Sequence, residues 1–471
     1  MVVSLPAVDI DPKAITTLEE AKIAIEKLLN VIERMAGIIN QLNTENRQLQ
    51  QEIARLKRQP PAPRFPSGNT SSPNRSSETL LKEKQHAWHK SVKKRHLPVD
   101  AEVSVPEVTA CSCGSTHFTT LRTREKIVQG ILLKRNNARY RGRDKRCGNC
   151  GKIYHVQFPP QTRGVEFDAT IRSSISYLKH FCRMTEGLIL RFLTDLGIVI
   201  SHGEISHILA ENSDKLASAR EHLRVWGIKK SRYLQTDVTG RKRRAKTMLS
   251  QHLQFVGHAL LSVFTITASY NSTTVAFALT KRGRSKPLVS DDGSPNGRRL
   301  PCRKKQLCWR HEIGHYLKLI PHCRRNKQAV SEVLALLRQF YHTAKEYGRD
   351  PTEGKRRKLE ALFDRITNRI TGYERLDERL RLTAKKQERL LLFLEYPFLP
   401  IHNNQSEQDL REPVIQRKIS GETKSTKGDR SIERHLSVIQ TARKQGLNIF
   451  ATLHGLLTGE LSPTILTAKT V

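Results

Sequence analysis

The sequence predicts an α/β protein built in modules. A mixed sheet with helices forms its centre. A long self-associating helix, a cysteine-bearing module and a helical region come before it, and more helices follow. Three observations carry this reading: a heptad of apolar residues between Ile25 and Leu56, two cysteine pairs at 111/113 and 147/150, and a change of texture at Arg232. From Arg232 onward short apolar, β-rich runs gather and then give way to long charged helical patterns.

Composition bounds the partners. Across 471 residues, Lys and Arg number 82 against 45 Asp and Glu, a formal charge of +37. An excess this large repels itself in a compact chain, and a polyanion relieves it. Nucleic acid is therefore the first partner class and an anionic membrane surface the second. There is no apolar run of about eighteen residues and no secretory signal, so the chain is expected to be cytoplasmic and to have no membrane partner. Hydrophobic residues make up 37%, low for one compact core, so elongated or solvated parts should flank the folded centre. Eight cysteines are too few for a secreted disulfide framework. In a reducing compartment, paired cysteines more often hold metal.

Residues 15–58 read as a coiled-coil dimerisation helix. One seam is Ile25, Ile32, Ile39, Asn46 and Ile53; the other is Leu28, Met35, Leu42, Leu49 and Leu56. Isoleucine at one seam and mostly leucine at the other favour a parallel two-stranded coil, with Asn46 setting register. A homodimer or a higher assembly is thus expected. Residues 59–100, rich in Pro, Ser and Asn at first and then basic, read as a flexible linker that lets coil and body move independently. Residues 101–160 carry Cys111, Cys113, Cys147 and Cys150, each pair followed by glycine. Two such pairs supply a tetrahedral structural Zn²⁺ site, a zinc ribbon. The basic stretch between them, including Arg135, Arg139 and Arg141, suits phosphate contacts. Residues 165–228 read as helical. Within them Thr185 to Asn212 has the outline of a helix, a Gly197 turn and a second helix capped by Ser201, as in a helix-turn-helix. Residues 229–425 hold the core, with a helical insertion at about 310–398, and residues 426–471 form a helical tail.

The chemistry is expected from three acids. Asp237 closes the apolar run RYLQTD, and Asp291 and Asp292 close PLVSDD. Carboxylates at neighbouring strand ends converge and bind Mg²⁺ (or Mn²⁺) through oxygen, and a pair of such ions serves phosphodiester displacement. The third acid, Glu407, lies in a segment that turns helical after Pro400. Arg411 follows one turn later on the same side, placed for a phosphate. Basic runs at 240–246, 281–286 and 303–305 surround these acids in sequence and are expected to grip the backbone.

Four motifs sharpen the reading: Asp237-Val238-Thr239-Gly240; Asp292-Gly293 after a short strand; Cys308-Trp309-Arg310-His311; and Asn403-Asn404-Gln405-Ser406-Glu407, which continues to Arg411, Pro413, Arg417 and Lys418. From Tyr233 onward the chain resembles the transposases of the insertion sequence 66 family, bacterial enzymes of the Asp-Asp-Glu type. The order of coil, cysteine pairs, helices, core and tail extends the resemblance to nearly the whole chain. It implies a ribonuclease-H-like core with a five-stranded mixed sheet, and Asp237 and Glu407 as two members of the triad. Alignment on Asp-Gly selects Asp292 as the other member, whereas the strand-end pattern of related integrase cores selects Asp291, which is favoured. Two Mg²⁺ or Mn²⁺ ions are implied at Asp237, Asp291 and Glu407. The implied reaction is metal-dependent cleavage and strand transfer at the ends of a mobile element. Double-stranded DNA, as terminal repeats and as target, is the implied partner, contacted by Arg241, Lys242, Arg243, Arg244, Arg411, Arg417 and Lys418; the location is the nucleoid, and helper proteins are admitted. His402 and Gln408 depart from the family pattern outside the triad, so altered packing is expected there. For Cys308 and His311 a packing or positioning role is expected; metal partners considered are Cys302, His315 and His322. The rival functions are a non-catalytic DNA-binding regulator and a nuclease on the same core that never joins.

Overall fold

The computed structural model describes residue 10 and residues 15–56, 99–159, 166–257, 260–268, 283, 285–292, 302 and 304–470, apart from 107, 121, 123, 130 and 132. Residues 59–98 of the expected linker and three of the six residues of the basic run 281–286 lie outside these residues.

A five-stranded mixed sheet organises the centre. Its strands are β3 (Tyr233–Arg243), β4 (Lys246–Val256), β5 (Leu260–Thr267), β6 (Leu288–Ser290) and β7 (Lys305–Leu307), in the order β5-β4-β3-β6-β7. A small separate ladder pairs β1 (Lys145–Arg146) with β2 (Ile153–Tyr154). In the main sheet β4 runs antiparallel to both β3 and β5, while β6 pairs in parallel with β3 and with β7. The sequence reading takes RYLQTDV, ending at Val238, as the first strand. The structure instead runs β3 on through the basic residues to Arg243 and turns it straight into β4. Arg244 and Ala245 make that turn with φ of 46° and 62°. Two successive left-handed residues match the twist of a hairpin.

Helices cover the sheet. α2 (Ala169–His180), α3 (Glu186–Asp195), α4 (His202–Lys215) and α5 (Ala217–Lys230) precede it. α3 and α4 follow the predicted outline: Thr185 and Ser201 cap them, and Gly197 makes the turn between with φ 77°. After β7 come α6 (Trp309–Leu317), α7 (Arg324–Arg349), α8 (Glu353–Thr367), α9 (Glu374–Ala384), α10 (Gln387–Leu390) and α11 (Leu392–Glu395). These six lie where the helical insertion was expected. Its core centres on Trp309, Phe340, Phe363 and Phe393, all fully buried. α12 (Asn404–Ser420), α13 (Thr426–Lys444) and α14 (Ile449–Thr458) complete the body. α13 lies along the edge strand β5. There Ser437 Oγ accepts the Phe264 N–H at 3.0 Å and Thr441 Oγ that of Ser262 at 3.1 Å, so side chains satisfy an edge that would otherwise invite pairing.

The N-terminal helix α1 (Leu18–Leu56) is not independent of this body. Its Glu33 is buried, and one carboxylate oxygen accepts the backbone N–H groups of His322 (2.6 Å) and Cys323 (3.2 Å) at the start of α7. Asn30 donates to the Gly372 carbonyl at 3.1 Å and accepts the Glu374 N–H at 3.0 Å. Independent motion of coil and body is therefore corrected: the face bearing Asn30 and Glu33 docks on the insertion. The heptad residues lie on the other side and remain 40–55% exposed from Ile25 to Leu42.

Candidate active site

The register of the sheet brings the acids together. Leu234 pairs with Leu288 and Gln235 with Val289 across β3 and β6. Extending that register by two residues sets Asp291 beside Asp237. Side chains alternate along an extended chain, so Asp292 faces the other way. There Lys386 holds it, with Arg389 at 3.9 Å. Of the two candidates, Asp291 is the one on Asp237's side.

Glu407 arrives on the first turn of α12. Asp237, Thr239, Glu407, Arg411, Val414 and Lys418 line one open cleft. The helix is set in place from below. His252 stands opposite Asp237 in the β3–β4 register, so both project from the same sheet face. Two residues past Glu407, the buried Asp409 carboxylate lies 2.8 Å from His252 Nε2, accepts from Ser262 Oγ at 2.9 Å and pairs with Lys444. Burial alone would raise the Asp409 carboxyl, but His252 and Lys444 outweigh it and hold it below the usual carboxylate range. Asn403, just before α12, donates from its amide to the Thr236 carbonyl at 2.9 Å. α12 is thus fixed on either side of Glu407.

The electrostatics of the cleft centre on Asp237. Shelter from solvent pushes its pKa up to about 7, and the charges of Asp291 and Glu407 add to the rise; the Val238 N–H and His311 oppose it. His311 Nδ1 is 3.6 Å from Glu407 Oε1. A hydrogen bond to Cys308 is the main cause that lifts the imidazole to about 9, helped by the charges of Cys308, Glu407 and Asp291 and opposed by burial. Cys308, His311 and Glu407 place one ligand atom each within 4.8 Å of one another. The sequence reading singled out Cys308 and His311 but sought their partners among Cys302, His315 and His322. Among the described residues the third member is instead Glu407. Pairing a Cys-x-x-His at a strand-to-helix junction with the acid of a remote helix was the missing step.

Residues 164–431 match the model of the Transposase IS66 family. The chain belongs to this family. A relative from Sinorhizobium fredii (strain NBRC 101917 / NGR234), the uncharacterized protein y4jO, is 35% identical over 163 residues, 35% of this chain and 50% of that protein. The chain thus spans about half the length of the curated relative it matches.

In this IS66-family chain several basic residues stand elsewhere than expected. Arg241 is buried, and Arg243 is partly exposed and donates to Asp429 at 2.9 Å. Lys305 is buried too, and burial first, then Arg389, pushes it down to about 8. Lys304 is engaged by Glu395 and Tyr396. Lys242 and Arg244 are exposed at the hairpin tip, Arg411 and Lys418 line the cleft, and Arg417 donates to Thr239 Oγ1 at 3.3 Å.

The cysteine pairs form two separate turns. The Gly114 N–H bonds the Cys111 carbonyl at 2.8 Å, and the Gly151 N–H bonds that of Cys147 at 3.0 Å, with both glycines left-handed. Among the described residues the four thiols are not gathered within one coordination shell. No helix among the described residues is long and apolar enough to cross a membrane.

Proposed function

We propose that this chain is a DNA transposase that cuts and rejoins DNA at the ends of an insertion sequence, with Asp237, Asp291 and Glu407 as its metal-binding acids. The observation that carries the reading is the crowding of carboxylates from three separate elements. Asp237 in mid β3 has its proton affinity raised first by burial and then by the charges of Asp291, just past β6, and Glu407 on α12, and it lines one cleft with Glu407. Negative groups held together against their own repulsion fit a hard divalent cation with oxygen ligands, Mg²⁺ or Mn²⁺. The sheet order, three antiparallel strands followed by two parallel ones, supports a ribonuclease-H-like core.

Bound by these acids, a pair of such ions would supply activation of the attacking oxygen and charge stabilisation of the leaving one. The protein's own part is positional. Asp409, His252 and Lys444 hold α12 so that Glu407 meets Asp237. Arg411 and Lys418 at the cleft rim orient the phosphate, and Lys242 and Arg244 extend the basic surface beyond it. α3 and α4, with the cysteine module, are assigned to recognising element ends; Zn²⁺ at Cys111, Cys113, Cys147 and Cys150 would require the two cysteine turns to draw together. The exposed seam of α1 is assigned to pairing two chains at the nucleoid, with or without helper proteins.

Joining of precut element ends to target DNA in Mg²⁺ or Mn²⁺ tests the reading. The intact chain should give joined product, and Asp237→Asn, Asp291→Asn and Glu407→Gln should each lower it by orders of magnitude, with end binding retained. Tight end binding without any joining would support a regulator, and hydrolysis without joining a nuclease. Binding should also weaken steeply with salt, because each phosphate contact releases counterions.

A further inference from the structure

The strongest unassigned cluster is the one that shares Glu407 with the proposed active site. We propose that Cys308, His311 and Glu407 form a binding site for a soft divalent ion, Zn²⁺, that competes with the hard-metal site for Glu407. The competition rests on the proposed catalytic role of Glu407; the zinc site itself does not.

Each ligand is positioned independently. Cys308 directly follows β7 and caps α6, and its N–H donates to the Ser290 carbonyl of β6 at 3.0 Å. The next residue, Trp309, is fully buried, with its indole N–H on the Leu390 carbonyl at 2.8 Å and its backbone N–H on the Ile401 carbonyl at 2.9 Å. His311 lies three residues beyond Cys308 on the first turn of α6, so thiol and imidazole share one face. Glu407 comes from α12. Beside the acid, Cys308 Sγ accepts the Asn403 N–H at 3.3 Å. This contact fixes the sulfur beside the carboxylate with which it would share a metal.

The donor set chooses the ion. One thiolate, one imidazole and one carboxylate suit Zn²⁺, whereas Mg²⁺ takes oxygen ligands. Three protein ligands leave a coordination position for water, as in open zinc sites. His311 is 42% exposed, so the site is reachable from solvent. Zinc takes Cys308 as thiolate and His311 as neutral imidazole; any proton they carry leaves to solvent, with no change of oxidation state. It also turns Glu407 toward sulfur and nitrogen and away from the acids of the proposed Mg²⁺ site. Zinc is therefore expected to inhibit joining.

The test uses the full chain with Cys111, Cys113, Cys147 and Cys150 all replaced by Ser, which removes the other paired thiols. Metal-free protein is titrated with Zn²⁺ against a chromophoric chelator, then loaded with Co²⁺. The expected result is one Zn²⁺ per chain and a sulfur-to-cobalt charge-transfer band. Adding Cys308→Ser, His311→Ala or Glu407→Gln should weaken binding by more than about 100-fold, and Cys308→Ser should abolish the band. His311 is partly exposed, so its variant keeps the test sound if the buried Cys308 variant fails to fold. No zinc in the four-cysteine background, or unchanged affinity in the His311 and Glu407 variants, overturns the proposal. Zinc bound with the sulfur band by a chain that never joins DNA would sink the transposase reading and leave this site standing.

Discussion

Replacing Asp409 with Asn removes the negative charge from a buried group of three side chains. Asp409 is 3% exposed, His252 is fully buried, and Lys444 is nearly so, with its amine against both Asp409 and Ser262 Oγ. Breaking a buried pair from one side costs about 3–5 kcal/mol, because the remaining charge stays desolvated. The ceiling has a simple origin. Lys444 can escape by losing its proton, and at pH 7 moving from about 10.4 costs about 4–5 kcal/mol at 1.36 kcal/mol per pH unit. The expected fall in thermal midpoint is roughly 5–15 °C. Asp409→Asn combined with Lys444→Met removes both charges and should recover most of that loss. In both variants Glu407 loses its anchor two residues away. Misplacement by about 1 Å can cost about 100-fold in rate, so joining should stay depressed even where stability returns. The assays are thermal unfolding, and joining measured well below the transition. A single variant costing under about 1 kcal/mol, or a double variant no more stable than the single, would refute the reasoning.

Other predictions follow from particular contacts. His435 is buried, stacked on His180 at 4.1 Å between ring centres, and burial pushes it down to about 4. Its folded pKa lies below the unfolded one, so stability is full above about 6.5 and is lost as pH falls toward 4, by about 2 kcal/mol at pH 5; His435→Gln should flatten the dependence of thermal midpoint on pH over that window. Ala245→Gly should stabilise by up to about 1 kcal/mol, because Ala245 holds a left-handed φ of 62° at the hairpin turn; urea unfolding reads it, and a loss of stability would count against the turn. Gly227→Ala should destabilise by about 1–3 kcal/mol despite the better helix propensity, because a Cβ there would sit 2.5 Å from the Phe255 ring; equal or higher stability would mean that α5 does not pack this tightly on β4.

What could be read from the sequence was set by local chemistry. The caps at Thr185 and Ser201 and the Gly197 turn are short-range signals, and α3 and α4 lie where those signals put them. The apolar parts of the mixed sheet were also legible, in the first half of β3, the end of β4, β5 and β6, whereas β7 begins in a run read as basic. The β3–β4 hairpin was not: its turn is Arg244-Ala245 rather than Asn-Gly, and its flanks are basic, so the segment read as a phosphate grip. Burial of Arg241 and pairing of Arg243 depend on Asp429 and its neighbours, far away in the chain. The same limit hid the support of α12. Nothing near Asp409 in sequence announces His252 or Lys444. Asn30 and Glu33 read as the solvated side of a coil because their partners come from the other end of the molecule. In the cleft, the acids were suspected from their strand and helix context, whereas the approach of His311 and Cys308 to Glu407 needed the fold.

The grip of Glu33 on the start of α7 has a consequence for how the chain is made. Its partner His322 lies 289 positions downstream. At about 5–20 residues per second of synthesis, the helix waits roughly 15–60 s after leaving the ribosome before that partner exists. Throughout the wait its isoleucine and leucine stripe is bare, and a sibling chain on the same message carries an identical stripe. On the dimer reading, two nascent helices meet before either body can fold, and each body then closes onto a helix that is already mated. Order of emergence, and not affinity alone, would then decide which two copies share an assembly.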